Sequence, residues 1–343
     1  MKKQIKFDKY FYKWLYGEDG YYSNYKDIGK SGDFFTAVST SKFFGGSIAK
    51  KIISSIKSGA LPKDTTIIEI GAHHGYLLAD IIEFIYTLEP KLLDTLNFAI
   101  VERYKHLQQK QKEYFQDSFG DIIKLIHFDN INKVDKKHCF FIANEIFDAF
   151  PCDLVYTTKE DQLQYGVVED HKIIFKDNDN PYITNYCKKY SVTKGEIARG
   201  YEQFAKDMCT DIEKFEFITF DYGEKYPRND FSCRVYKNHQ VFPIFDENIV
   251  LKDLYCNSDI TYDVNFTHLI DSFNEAGAIN ITYETQLKAL VDFGIIELLE
   301  ILHKNVDEKT YLKEANKVKT LLNPTGMGDR FKMAHFRFDK SIG

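Results

Sequence analysis

The chain has 343 residues, a net charge of −6 and a pI near 6.0. It is long enough to bury a large core and carries no basic footprint for nucleic acid. Its six cysteines form no C-x-x-C pair, which argues against a zinc knuckle or a redox motif and for buried thiols in a reducing cytosol. No apolar h-region follows the charged start, and no apolar run approaches the ~20 residues of a membrane span. A cytoplasmic protein without membrane insertion is expected.

Phe7, Tyr10, Phe11, Trp14 and Leu15 fall at helical spacing and predict a first helix. A turn-rich loop with Gly20-Tyr21-Tyr22 follows, then Ser31-Gly32-Asp33-Phe34-Phe35-Thr36-Ala37. That mixture of small, polar and aromatic residues suits a lid over a ligand or a plain surface loop. Ser39 or Thr40 is the predicted cap of a helix carrying Phe43, Phe44, Ile48, Ile52, Ile53 and Ile56. Gly59 and Pro62 end it. The run 66–70 is apolar, β-branched and short enough for a buried strand. Gly71 and Gly75 then bracket a turn, and Leu77, Leu78, Ile81, Ile82 and Ile85 predict a helix.

Strand, glycine turn and helix in that order open the nucleotide site of a doubly wound α/β fold, though an ordinary βα turn reads the same way. The next strand, 97–101, runs into Glu102, an acid placed to bind ribose hydroxyls. Glu102 follows Gly71 by 102 − 71 = 31 residues. A nicotinamide fingerprint keeps that interval near ~20 and wants a third glycine, where Tyr76 stands. A site for S-adenosylmethionine (SAM) needs a glycine turn and a ribose acid but no pyrophosphate clamp, so it fits better than a dehydrogenase.

A helix is predicted from about 104 to 115 and a third strand over 122–128, ending in Asp129. Asp129 is either an adenine ligand or a turn residue. The continuous apolar run within 138–144 is a fourth strand buried on both faces. It ends in Asn144-Glu145-Ile146-Phe147-Asp148. Carboxyl ends of parallel strands line the ligand crevice, so Glu145 and Asp148, supported by Asn144, are the candidate catalytic residues. Residues 152–176 read as a β-hairpin, 177–181 as a polar loop, 199–213 as a helix and 215–220 as a fifth strand. An irregular stretch, 232–245, holds Arg234, Tyr236 and His239. A helix around Phe266 to Phe273, a strand over 278–283, helices over 285–303 and 307–322, and a last strand over 331–338 complete the chain. Adjacent His73 and His74 have no acid at ligand spacing, so no metal site is expected. His239 is a weaker candidate for a general base than for a core or loop histidine.

These motifs together resemble the MidA-like class I SAM-dependent methyltransferases, whose mitochondrial branch assists assembly of respiratory complex I. The resemblance rests on Gly20-Tyr21-Tyr22, Gly32-Asp33-Phe34 with Thr36, Ile68-Glu69-Ile70-Gly71 with Gly75 and Asp80, and Asn144-Glu145 with Phe147-Asp148-Ala149 and Pro151. It continues through Asp221-Tyr222-Gly223, Asp259-Ile260-Thr261 with Val264 and Phe266, and Met327-Gly328 with Phe331-Lys332. It implies a Rossmann-like α/β fold with a seven-stranded, mostly parallel sheet, helices on both faces and a reversed strand near the C-terminus. It implies SAM as cofactor and a protein substrate, methylated on arginine in the mitochondrial branch.

Gly32, Asp33, Thr36, Gly71, Ala72, Gly75, Glu102 and Asp129 are then the expected cofactor-binding residues. The expected organisation is N-terminal helices and lid loop over 1–60 and a methyltransferase core over 61–343, with an insertion at about 152–214. Two departures stand out. Ala72, His73 and His74 occupy a loop that usually holds a further glycine and an arginine, and Asp230-Phe231-Ser232-Cys233-Arg234 varies a stretch ahead of His239. A non-catalytic assembly factor on the same fold is the alternative that the altered glycine loop raises.

Overall fold

The computed structural model describes residues 4–23, 36–237 and 240–341. Gly32, Asp33, the rest of the expected lid up to Phe35, and His239 lie outside the described residues. Two units divide the chain: Met1–Phe34, Phe147–Gln203 and Tyr222–Ser272 form the first, and Phe35–Ile146, Phe204–Asp221 and Phe273–Gly343 the second. These boundaries differ from the expected ones. The helix Phe7–Tyr16 belongs to the first unit, whereas the helix α1, Phe43–Lys57, belongs to the second.

The second unit is built on a sheet whose strands are β1 (Thr66–Ile70), β2 (Asn97–Val101), β3 (Leu125–Phe128), β4 (His138–Asn144), β5 (Lys214–Glu224), β6 (Ile279–Thr285) and β7 (Phe331–Asp339). Their order is β6-β7-β5-β4-β1-β2-β3. The pairs β5–β4, β4–β1, β1–β2 and β2–β3 are parallel, and β6–β7 is antiparallel. Val264–Asn265, in the first unit, adds an eighth strand parallel to Gly223–Glu224, where the resemblance implied seven. All five residues of β1 are buried, as are the five central residues of β4. Runs without polar alternation are what a parallel sheet covered on both faces demands.

Helices α1, α2 (Tyr76–Leu88) and α3 (Lys105–Phe119) follow the 3.6-residue period read from the sequence. Phe44, Ile48 and Ile52 of α1 share one core with Ile67, Leu78, Ile82, Ile100, Phe140 and Phe220. Each such side chain contributes about 1.5–3 kcal/mol by leaving water. The cap of this region is not the predicted one. Thr36 caps a short helix, Ala37–Thr40, in a reciprocal box with Ser39, and α1 starts at Phe43, after Lys42, with no side-chain cap. The long helix predicted over 285–303 is two, Gln286–Asp292 and Ile295–Asn305.

In the first unit the predicted hairpin is a three-stranded meander, Cys152–Thr157, Leu163–Glu169 and Lys172–Asp177, extended by Ile5–Lys6 and Lys194–Ala198. A helix, Pro181–Tyr190, follows the expected polar loop. Its start was signalled by Asn180, whose side chain accepts from Tyr182 N, and by a proline in the first turn. The stretch read as irregular carries strands Arg234–Lys237 and Gln240–Pro243, paired with each other, and the first also pairs with Asp259–Thr261.

Candidate active site

The glycine turn takes its shape from residues that only the backbone angles reveal. Gly71 has φ +70° and Gly75 φ +81°, both in the left-handed region that a side chain disfavours. A Cβ on Gly71 would lie 3.0 Å from Ile146 Cγ2, and one on Gly75 2.9 Å from Phe115 Cε2. Ala72 is buried and is not among the residues with positive φ, so replacing a glycine there costs no strain. The unusual angle falls one residue later, on His73, with φ +47°.

Gly75 has no side chain with which to cap α2, and β1 supplies the acceptor instead. Glu69 Oε2 accepts from Leu78 N at 3.0 Å. Burial pushes the Glu69 carboxyl up to about 8, against the pull of that bond.

Glu102 leaves the end of β2 and is 7% exposed. Its Oε1 accepts from Tyr104 N at 2.9 Å, at the start of α3. Burial raises its pKa, and the Tyr104 bond opposes the rise. A buried carboxylate in this position fits a ribose diol. Asp129 follows β3 and is over half exposed; Lys105 Nζ at 2.5 Å and Gln108 Nε2 at 2.8 Å bond its Oδ1 and hold its pKa below the usual range. Gln108 Nε2 also donates to the Glu102 carbonyl at 2.6 Å, tying the ends of β2 and β3 together.

At the end of β4, Asn144 Nδ2 donates to Glu145 Oε1 at 2.8 Å, and Glu145 N donates to Phe220 O at 2.9 Å. Glu145 has φ +56°. A non-glycine residue held there costs about 1–3 kcal/mol, and such outliers cluster at functional sites. Asn144 Oδ1 is buried without a protein partner among the described residues. An orphaned acceptor beside the glycine strand is a position for a ligand donor.

Asp148 belongs to the first unit. Three consecutive carbonyls of its turn are held there: Phe147 O by Tyr201 Oη at 2.8 Å, Asp148 O by Tyr262 N at 3.2 Å, and Ala149 O by Tyr16 Oη at 2.9 Å. Burial drives the Asp148 carboxyl upward, Arg234 opposes it, and Asp263 adds to it. Arg234 is itself buried and bonds Asp263 Oδ1 at 2.5 Å and Tyr236 Oη at 2.9 Å. Thr36 is committed to its helix cap.

The sequence did not single out Gln108 or Gln111. Its one signal was a pair of amides on the apolar stripe of α3, where Leu107, Gln108, Gln111 and Phe115 are buried.

A mostly parallel α/β sheet with a glycine turn after its first strand, an acid after its second and a polar cluster after its fourth defines a class I SAM-dependent methyltransferase. Comparison with known proteins agrees. The family described as "Putative S-adenosyl-L-methionine-dependent methyltransferase" matches residues 47–284; the chain belongs to it, and its cofactor is SAM. A protein from Burkholderia thailandensis, solved bound to S-adenosyl-homocysteine, superposes with a TM-score of 0.81 at 22% identity over 97% of this chain and 87% of that one. That likeness shows the fold. The Xenopus laevis protein named "Protein arginine methyltransferase NDUFAF7, mitochondrial" is 24% identical, covering 91% of this chain and 76% of its own length. The Danio rerio protein of that name is 23% identical over 91% and 78%. The expectation of a cytoplasmic protein is overturned by these relatives, which are named as mitochondrial. Among the described residues, no helix is long and apolar enough to cross a membrane.

Proposed function

We propose that this methyltransferase modifies a protein substrate and that the acceptor is an arginine side chain. The observation that carries the reading is the Asn144–Glu145 pair, a carboxylate oriented by an amide on a strained backbone at the end of the strand beside β1. The names of relatives aligned over nine-tenths of the chain support the choice of acceptor.

Gly71, Ala72 and Gly75 would let the backbone approach the cofactor, Glu102 would take the ribose hydroxyls, and Asp129 would lie towards the adenine. Gly32, Asp33 and Thr36 complete the proposed set. Bound SAM supplies a methyl group on a cationic sulfur, ready for in-line displacement. The protein's task is then to position the nucleophile. A guanidinium is a planar cation with donors in a fixed fork. Glu145 accepts those donors and offsets the charge, and Asn144 holds its carboxylate in place. As the new N–CH3 bond forms, the nitrogen must shed a proton, and Glu145 is the base proposed to receive it. Asp148, in a turn whose carbonyls Tyr16, Tyr201 and Tyr262 hold within the first unit, is a further candidate carboxylate.

Complementation tests this. Glu145→Gln keeps size and removes charge, so SAM affinity should stay within about threefold while methyl transfer falls by roughly 10²-fold, as when one preorganised electrostatic group is lost. Methyl-arginine in the proteome of a knockout carrying the variant is the readout. Full recovery would refute the assignment.

A further inference from the structure

We infer that Gln111 is the positioning residue of the cofactor loop, holding the His73 turn in a left-handed backbone that no glycine occupies. The inference rests on the reading of Gly71–Gly75 as a cofactor contact.

Gln111 is fully buried on α3, in the stripe shared with Leu107 and Phe115. An uncharged amide there needs partners, and it has them in the glycine turn and on β3. Its Nε2 donates to the His73 carbonyl at 2.7 Å. Its Oε1 faces His127 Nε2, on β3, at 2.8 Å.

The bonding fixes the orientation of both groups. A carbonyl only accepts, so the amide atom facing His73 O is the nitrogen. The oxygen therefore faces His127, whose Nε2 carries the hydrogen. Burial, together with Lys112, pushes the His127 pKa down to about 4, which agrees with a neutral ring. Turning the amide over would set two acceptor oxygens against each other at His73.

His73 is where the clamp matters. Its φ of +47° is disfavoured for a residue with a side chain. Glycine would allow the angle freely; here a bond from α3 holds it. Gln111 acts by placing the loop that would approach the cofactor.

Calorimetry with SAM and with S-adenosyl-homocysteine tests this on the full chain. Gln111→Met keeps the volume and removes the amide. Both ligands should weaken about tenfold, the size expected from losing one buried hydrogen bond. His73→Gly placed in that variant should recover about threefold, because glycine takes the turn unaided. A packing role alone predicts no recovery. Should Gln111→Met fail to fold by circular dichroism, Gln111→Asn keeps the amide but shortens its reach and should weaken binding similarly. Unchanged affinity in the folded variant, or a loss that His73→Gly leaves untouched, would overturn the inference. Wild-type affinity in Gly71→Val would show instead that the cofactor site itself is misplaced.

Discussion

Glu102→Gln probes the proposed ribose contact most directly. The substitution keeps side-chain length and one oxygen, so Tyr104 N, now 2.9 Å from Oε1, still finds an acceptor. The negative charge is removed and one acceptor oxygen becomes an NH2, at a position 7% exposed. Hydrogen bonds to charged groups contribute about 1.5–3 kcal/mol against about 0.5–1.5 kcal/mol for neutral ones. Two bonds to a ribose diol would therefore lose about 2 kcal/mol in total, roughly 30-fold in dissociation constant. Isothermal titration of SAM at neutral pH measures it. The pH dependence provides a second arm. Burial raises the Glu102 pKa, so the wild type should lose affinity as pH falls through that raised value, while the variant should stay flatter. A dissociation constant within twofold of wild type would remove Glu102 from the site.

Gly71→Val should abolish SAM binding, because φ +70° disfavours a β-branched residue and its Cβ would meet Ile146 at 3.0 Å; calorimetry on the folded variant decides. Asp148→Asn should reduce methylation less than Glu145→Gln does, read in the same complementation assay. Glu69 bears on stability. Its folded pKa of about 8 lies above its ordinary 4.5, so the native state binds more protons and stability falls as pH rises across that window. Glu69→Gln carries no charge at any pH and should flatten that decline by up to several kcal/mol between pH 5 and 8. Urea unfolding at both pH values would show equal slopes if the reasoning fails.

What the sequence determined by itself was whatever local pattern encodes. The apolar runs of β1 and β4 fixed two buried strands, since a run without polar alternation has nowhere else to go. The glycine turn and Glu102 suggested a nucleotide site, and the order of short motifs marked the family. Helix Phe7–Tyr16 and helix α1 followed from spacing alone. The tertiary structure decided what depends on partners distant in the chain. Strand Arg234–Lys237 exists because Arg234 pairs across to Thr261, and 232–245 shows no alternation strong enough to announce it. The grouping of helix Phe7–Tyr16 with residues 147–203 is likewise non-local. Most of the site's control was equally hidden. Gln111, on α3, meets His73 38 residues away, and Tyr201 and Tyr16 reach the Asp148 turn from 54 and 133 residues away. A buried amide or hydroxyl must find a partner to offset its lost hydration. Sequence records that such a residue is present, and folding chooses which backbone group it holds.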